Sequence, residues 1–383
     1  MKILLVGEYY SQNLGDPVLC QTVEHSIMGA FPDAQIIPFD MSGKTGFDTY
    51  FKPTHYSHAQ NWYFRLAYRA PFLLKNFPLC RVIQQETDRY MRTMCMLDTI
   101  LEQESFDLVI FAGGSIFMDY FAGIIYGIVS RLAKKKIPII FHACGMSVLT
   151  EDTAYVLQKA LNFKNIKSIS LRDSYSRFLE QFHVSTSVTE TFDTALACSK
   201  YFSQNQDTIA DIGVGVIGIP AYFEFQKALV QSVQQSQNSW KIFTNGSSGD
   251  LNMAIRILSD LGITASEQRN YIVSNPKNAE ELIKTVTGFH KVVSFRMHSQ
   301  IVAASYGIPI FGFVWDDKIK DFYTKIGMPN NCKEPNNPIS WEEVESRVGI
   351  DGEQLRNLAI NAGESSQKSL FKQIRELYDE VVL

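Results

Sequence analysis

The sequence is short of features that would mark several large protein classes. Its 383 residues include six cysteines, Cys20, Cys80, Cys95, Cys144, Cys198 and Cys332, none in a C-x-x-C pair. That spacing excludes a disulfide scaffold and the usual structural zinc site, and it fits a reducing, cytoplasmic setting. Neither charge dominates: 40 acidic against 36 basic side chains leave a net charge of -4. There is thus no broad basic surface to hold a nucleic-acid backbone, and no nucleic-acid partner is expected. Long uninterrupted apolar runs are also missing. The longest, Leu108 to Val129, is broken by Gly113-Gly114-Ser115 and carries Asp119, so it reads as a strand, a glycine turn and a helix rather than a membrane span. The opening apolar run ends at Glu8, too soon for a signal peptide, and reads as a first strand. With 45% hydrophobic and 20% charged residues, the composition is that of a globular chain long enough for two domains.

What is present is an alternation. Short apolar stretches at Ile3–Val6, Gln35–Pro38, Leu108–Phe111, Ile137–Phe141 and Ser168–Leu171 read as strands, with amphipathic segments between them. Strands apolar on both faces and separated by helices call for a parallel sheet covered on both sides. The pattern thins over the polar stretch Lys200–Asp211 and restarts with Ile212–Ile219, Trp240–Phe243, Lys291–Ser294 and Ile308–Phe313. The fold class expected is α/β, with two Rossmann-like βα domains facing a cleft. Their bounds are expected at 1–205 and 206–350, with a helical segment 351–383 that packs back on the first. Ligands of such sheets bind beyond the carboxyl ends of the strands, so the loops there hold the candidate residues.

Four of those loops carry candidate residues. The first strand leads into Gly7-Glu8-Tyr9-Tyr10-Ser11-Gln12-Asn13-Leu14-Gly15-Asp16, whose glycines are too far apart for a dinucleotide fingerprint. The loop can still cradle an anion or a sugar hydroxyl, and Asp16 reads either as a ligand contact or as a helix cap. Gly113-Gly114-Ser115 allows close approach of a ligand to the backbone. Arg172 lies where a strand gives way to a helix and can present its planar fork to a carboxylate or phosphate, or pair with Asp173. In the second half, Arg296-Met297-His298-Ser299 follows a strand and opens an apolar helix, a place suited to anions and to an imidazole that exchanges protons. His142 falls at a strand end and is a weaker candidate. No cluster of metal-ligating residues is apparent.

The stretch 61–82, with Trp62, Tyr63, Phe64, Tyr68, Phe72 and Phe77 among Arg65, Arg69, Lys75 and Arg81, breaks the alternation. Aromatics interleaved with cations suit a peripheral contact with a membrane-water interface; the alternative is a helical excursion packed on the domain.

Taken in order, these pieces resemble the polysaccharide pyruvyl transferases. The resemblance runs from Asn13-Leu14-Gly15-Asp16 through Asp107-Leu108-Val109-Ile110, Gly113-Gly114-Ser115, Leu171-Arg172-Asp173, Phe192-Asp193-Thr194-Ala195, Arg296-Met297-His298 and Gly307-Ile308-Pro309 to Asp317-Lys318-Ile319. It departs from the family at Pro17, at Asp193-Thr194 and in the turn His142-Ala143-Cys144-Gly145-Met146. The resemblance implies a glycosyltransferase-B-like fold and transfer of the enolpyruvyl unit of phosphoenolpyruvate onto sugar hydroxyls to give a pyruvate ketal. Phosphoenolpyruvate would be the co-substrate, with no other cofactor and no metal. It implies Arg172, Arg296, Met297, His298 and Ser299 as donor-binding residues, with the second domain as the donor side. Asn13, Asp16, Gly113, Gly114 and Ser115 are expected on the acceptor side, in the first domain, with His298 and Asp16 catalytic. The acceptor implied is a lipid-linked polysaccharide precursor, handled in the cytoplasm or at the inner membrane face, where the 61–82 stretch would serve. Two other readings stay open on the residues alone: a nucleotide-sugar transferase of the same fold, and a non-catalytic carbohydrate-binding relative.

Overall fold

The computed structural model describes residues 1–52, 77–336, 339–348 and 351–382. Most of the 61–82 stretch, with its expected membrane contact, lies outside the described residues. Its described end enters the helix Pro78–Gln85. Among the described residues no helix is long and apolar enough to cross a membrane.

The chain divides into two compact units. The first comprises Met1–Tyr10, Glu24–Thr191 and Ser369–Leu383, and the second Ser11–Val23 and Phe192–Lys368. In the first unit, strands β1 (Lys2–Gly7), β2 (Gln35–Asp40), β5 (Leu108–Phe111), β7 (Ile139–Met146), β8 (Ile166–Leu171) and β9 (Ser187–Glu190) pair in the order β2-β1-β5-β7-β8-β9, and β6 (Gly114–Phe117) also pairs with β7. Every pairing is parallel, and β5 and β7 are buried along their whole length, as uninterrupted apolar strands under helices on both faces must be. A short hairpin, β3 (Lys44–Gly46) with β4 (Thr49–Tyr50), follows β2. Phe111, Phe117, Phe141 and Phe178 form the aromatic centre of this unit's core.

The second unit carries a five-stranded parallel sheet in the order β11-β10-β12-β13-β14, built from β10 (Ala210–Gly215), β11 (Trp240–Phe243), β12 (Phe289–Ser294), β13 (Ile310–Phe313) and β14 (Cys332–Lys333). Phe225, Phe295 and Phe313 pack at its centre.

The division falls at Thr191–Phe192, not near residue 205 as the polar stretch suggests. The reason is the 3-10 helix Thr194–Lys200, whose Thr194 to Cys198 are all buried. It packs on the helix Met297–Ser305, and the Ser199 amide donates to Ser305 Oγ at 3.0 Å. A second difference concerns residues 11–23, which belong with the second unit: the Leu14 amide donates to the Asn245 carbonyl at 2.8 Å. The helix Gly352–Val382 matches the helical pattern expected there, and its part from Ser369 on counts with the first unit, where Gln373 accepts from Ser168 Oγ.

Candidate active site

In the second unit the site is built where β12 ends. Beyond Ser294, the chain turns at Arg296 and enters the helix Met297–Ser305, every residue of which is buried. The Ser299 hydroxyl donates to the Arg296 carbonyl at 2.7 Å and Gln300 Nε2 to the Ser294 carbonyl at 2.7 Å. The turn is thereby held rigid, and Ser299, expected on the donor side, is a fully buried brace of this turn. Met297 is likewise buried.

His298, on the first turn of that helix, is the centre of the site. Its Nδ1 lies 3.8 Å from Asp16 Oδ1 and its Nε2 lies 3.8 Å from Asp193 Oδ2. Both distances are ion-pair separations, longer than a hydrogen bond. A protonated imidazole would thus have a carboxylate on each side. Both carboxylates are held in turn. Asp16 Oδ2 accepts from Ser11 Oγ at 3.1 Å and from Asn13 Nδ2 at 3.2 Å, and Asp193 Oδ1 caps its 3-10 helix by accepting from the Ala195 amide at 2.9 Å.

Asn13 and Asp16 were expected on the acceptor side, in the first domain, with Asp16 catalytic beside His298. The structure instead puts both in the second unit, in one cluster with His298. Tertiary packing caused the difference: Gly15 has no side chain, and a Cβ there would lie 2.2 Å from that of His298. Gly246, at φ +98°, makes the same kind of room for Gln12 and Leu14.

Arg296 is not a free cation. Its Nε donates to Asp250 Oδ2 at 2.9 Å and its Nη2 to Asp250 Oδ1 at 2.6 Å, a bidentate pair with a carboxylate that is fully buried. The Gly218 amide also donates to Asp250, at 2.9 Å. One edge of the guanidinium is therefore committed, and the side chain keeps 20% of its surface exposed. Next to the first loop, Asn245 is 1% exposed, and among the described residues neither its Oδ1 nor its Nδ2 has a hydrogen-bond partner; Asn13 Oδ1 has none either. Buried amides are rarely left so, which makes these two asparagines candidates for contact with a ligand.

Arg172, Gly113, Gly114 and Ser115 belong to the first unit. Gly113 and Gly114 have φ of +95° and +85°, and a Cβ on Gly113 would meet the His142 and Ala143 carbonyls within 2.9 Å. Arg172 is 5% exposed, with Nε 3.3 Å from Asp173 Oδ2 and Nη2 3.4 Å from Ser115 Oγ, both long contacts. The pairing with Asp173 is thus real, and Arg172, expected on the donor side, meets Ser115, expected on the acceptor side. Asp173 is fixed by the Met146 amide at 3.0 Å. Burial pushes the Cys144 thiol well up despite the nearby Arg172. His142 is fully buried within β7, near Ser170 Oγ, and lines nothing exposed.

Sequence reasoning missed three residues of the second-unit site. Asp193 stood inside a recognised motif without a role, Asn245 lay in a Thr-Asn-Gly turn after a strand, and Asp250 gave no signal beyond one acidic residue in a helix's first turn.

Two units, each with a parallel α/β sheet, give the chain a glycosyltransferase-B-like fold. Solved structures agree on the fold. The UDP-N-acetylglucosamine 2-epimerase from Rickettsia bellii is 12% identical, with a TM-score of 0.57 over 99% of this chain and 97% of that one. The UDP-GlcNAc 2-epimerase from Neisseria meningitidis, solved with UDP-GlcNAc bound, is 12% identical, with a TM-score of 0.54 over 98% and 100%. An α,α-trehalose-phosphate synthase from Burkholderia vietnamiensis is 12% identical, with a TM-score of 0.51 over 98% and 99%. No curated protein sequence matches the chain. The family model for polysaccharide pyruvyl transferase matches residues 13–317, and the chain belongs to that family of transferases. The match begins at Asn13, in the loop packed against His298.

Proposed function

We propose that this protein transfers the enolpyruvyl unit of phosphoenolpyruvate onto two hydroxyls of a sugar, giving a cyclic pyruvate ketal and inorganic phosphate. The observation that carries the reading is the placement of His298 between Asp16 and Asp193 at the mouth of a buried helix. In the first step His298, as the imidazolium, gives its proton to the methylene carbon of the donor, which becomes a methyl group. The adjacent carbon becomes electron-poor, and a sugar hydroxyl adds to it while its proton passes to a carboxylate, Asp16 being the one more open to solvent. Phosphate then leaves with its bridging oxygen. A second hydroxyl adds to the same carbon and closes the ring; its proton passes to His298, the proton held by Asp16 goes to the departing phosphate, and the site is back in its starting state. Asp193 positions the ring and stabilises its charged form.

The free edge of Arg296 and the amide groups at the start of the Met297–Ser305 helix suit the donor's phosphate or carboxylate. Arg172 is a second donor-binding candidate by resemblance. The side-chain oxygen of Asn13 and the side-chain amide of Asn245 suit hydroxyls, which both give and accept hydrogen bonds. Gly113, Gly114 and Ser115 are assigned to the acceptor by resemblance. The scheme uses phosphoenolpyruvate as co-substrate and no further cofactor. The acceptor we propose is a lipid-linked saccharide precursor, met at the inner face of the membrane, for which the aromatic and basic residues of 61–82 supply a sequence-level reason.

The test is a mass-spectrometric assay with phosphoenolpyruvate and a panel of lipid-linked saccharides. A product heavier by one pyruvate ketal, lost in His298→Ala, supports the reading. Turnover of a nucleotide sugar, with no thermal shift by phosphoenolpyruvate, would replace it with the nucleotide-sugar reading. Turnover of neither would favour a non-catalytic carbohydrate binder.

A further inference from the structure

A second cluster lies wholly in the first unit, beyond the carboxyl ends of β1, β2 and β6. Arg89 and Arg92 stand one turn apart on the helix Thr87–Gln103 and so share a face. The Arg89 guanidinium carbon sits 3.2 Å above the centre of the Tyr120 ring, and that of Arg92 sits 4.5 Å above Tyr50. Lys44 also reaches the Tyr50 ring, at 5.7 Å, and Glu8, just past β1, lies within electrostatic reach of Arg89. These residues come from four separate segments that converge where ligands of parallel sheets bind.

Two observations point to a ligand. Among the described residues Arg89 Nε, Arg89 Nη1 and Arg92 Nε are buried donors with no hydrogen-bond partner, although a Glu86 carboxylate oxygen lies 3.5 Å from Arg89 Nη2. Cationic donors withdrawn from water are costly to leave unmatched, so the cluster favours a group rich in oxygen acceptors. The two tyrosines are also exposed, Tyr50 by 47% and Tyr120 by 37%, and flat amphipathic rings suit the apolar faces of sugars.

We propose that Arg89, Arg92, Tyr50 and Tyr120 form a subsite for an acidic saccharide. A sugar ring packs on the exposed tyrosine faces, and a phosphate or carboxylate oxygen on that sugar takes the unmatched guanidinium N–H groups. The N–H groups are covered in the free protein, so binding turns the Tyr120 or Tyr50 ring aside. The cluster is separate from the His298 site in chain position and chemistry. Its assignment to the acceptor glycan rests on the transferase reading, but the binding itself does not.

The experiment uses the full chain without phosphoenolpyruvate. Saturation-transfer NMR is run with glucose 1-phosphate, glucuronate, glucose and inorganic phosphate as separate probes. Glucose 1-phosphate or glucuronate is expected to show transfer to ring protons, and which of the two does so identifies the oxyanion. Tyr120→Ser and Arg92→Gln should weaken the bound probe at least tenfold, while Tyr120→Phe retains it. Melting curves identify any variant that fails to fold, and Tyr50→Ser, at a more exposed position, replaces it. Equal binding to wild type and all the Ser and Gln variants overturns the proposal, as does inorganic phosphate binding as tightly as the sugar phosphate, or no binding of either acidic sugar. Loss of pyruvyl transfer alone would sink the activity and leave this subsite standing.

Discussion

Gly15 and His298 are packed so closely that a methyl group on the glycine would lie 2.2 Å from Cβ of the histidine and 2.4 Å from its Nδ1. Gly15→Ala should therefore move the imidazole, because the helix behind it is buried and cannot retreat. Overpacking costs about 1–3 kcal/mol and a 1 Å misplacement of a catalytic group about a hundredfold in rate. The expected result is a small fall in melting temperature with a large fall in kcat. A variant that turns over like wild type would show that His298 does not act from this position.

Asp193→Asn separates charge from structure. Asparagine keeps the side-chain oxygen that caps the Thr194–Lys200 turn but removes the negative charge facing His298 Nε2. Melting temperature should hardly change, while kcat falls by about 10²–10⁴ if general acid-base catalysis runs through this pair. Because the donor's anionic groups are held elsewhere, KM for phosphoenolpyruvate should shift little. A rise in KM at constant kcat would make Asp193 a binding residue instead.

Much of this was legible before any coordinates. Strand stretches such as Ile3–Val6 and Leu108–Phe111 match β1 and β5, because burial on both faces leaves continuous apolar runs. The positions of Arg296 and His298 at a strand end followed from the same logic. What the sequence could not show is which loops meet. Asn13 and Asp16 lie at the start of the helix Gly15–Ala30, whose later part counts with the first unit, yet packing at Gly15 and Leu14 sets them with His298. The linker was misplaced for a similar reason. A polar stretch marks exposure, and the real division comes earlier because Thr194–Cys198 are buried on a distant helix. Arg296's partner, Asp250, lies 46 residues away with no motif to connect them.

Asp250→Ala should be among the more destabilising single changes in the second unit. It strips the partner from both nitrogens of Arg296 and from the Gly218 amide. Removing one half of a buried pair costs about 3–5 kcal/mol, and partial exposure of Arg296 puts this case at the lower end, about 3 kcal/mol. Denaturant melts measure it directly. A loss below about 1 kcal/mol would mean that Arg296 finds water or another acceptor as readily, which is the ordinary behaviour of surface pairs.

Asp40 makes stability depend on pH in an unusual direction. Burial raises its carboxyl above the ordinary range, outweighing the amides of Tyr10, Ser42 and Lys44 that lower it. The folded chain therefore holds this proton to higher pH than the unfolded chain, whose value is about 3.9. The group's contribution is most favourable near and below that unfolded value and declines as pH rises through the folded one. Denaturant melts across that window should show Asp40→Asn losing a stability decline that wild type has. An identical slope in both proteins would remove Asp40 as its source.

The cysteines test whether proximity to charge or burial governs reactivity here. Cys144 stands near Arg172, an arrangement that usually activates a thiol, but desolvation outweighs it and pushes the thiol up. Burial likewise pushes Cys198 up to about 12, against the Ser305 contact that lowers it. At pH 8 the thiolate of Cys198 would then be about one part in 10⁴, too little for attack even if reagent arrived. Iodoacetamide followed by peptide mapping should label the half-buried Cys80 in the native chain and spare Cys144 and Cys198 until denaturant is added. Early labelling of Cys144 would mean that the Arg172–Asp173 turn opens to solvent.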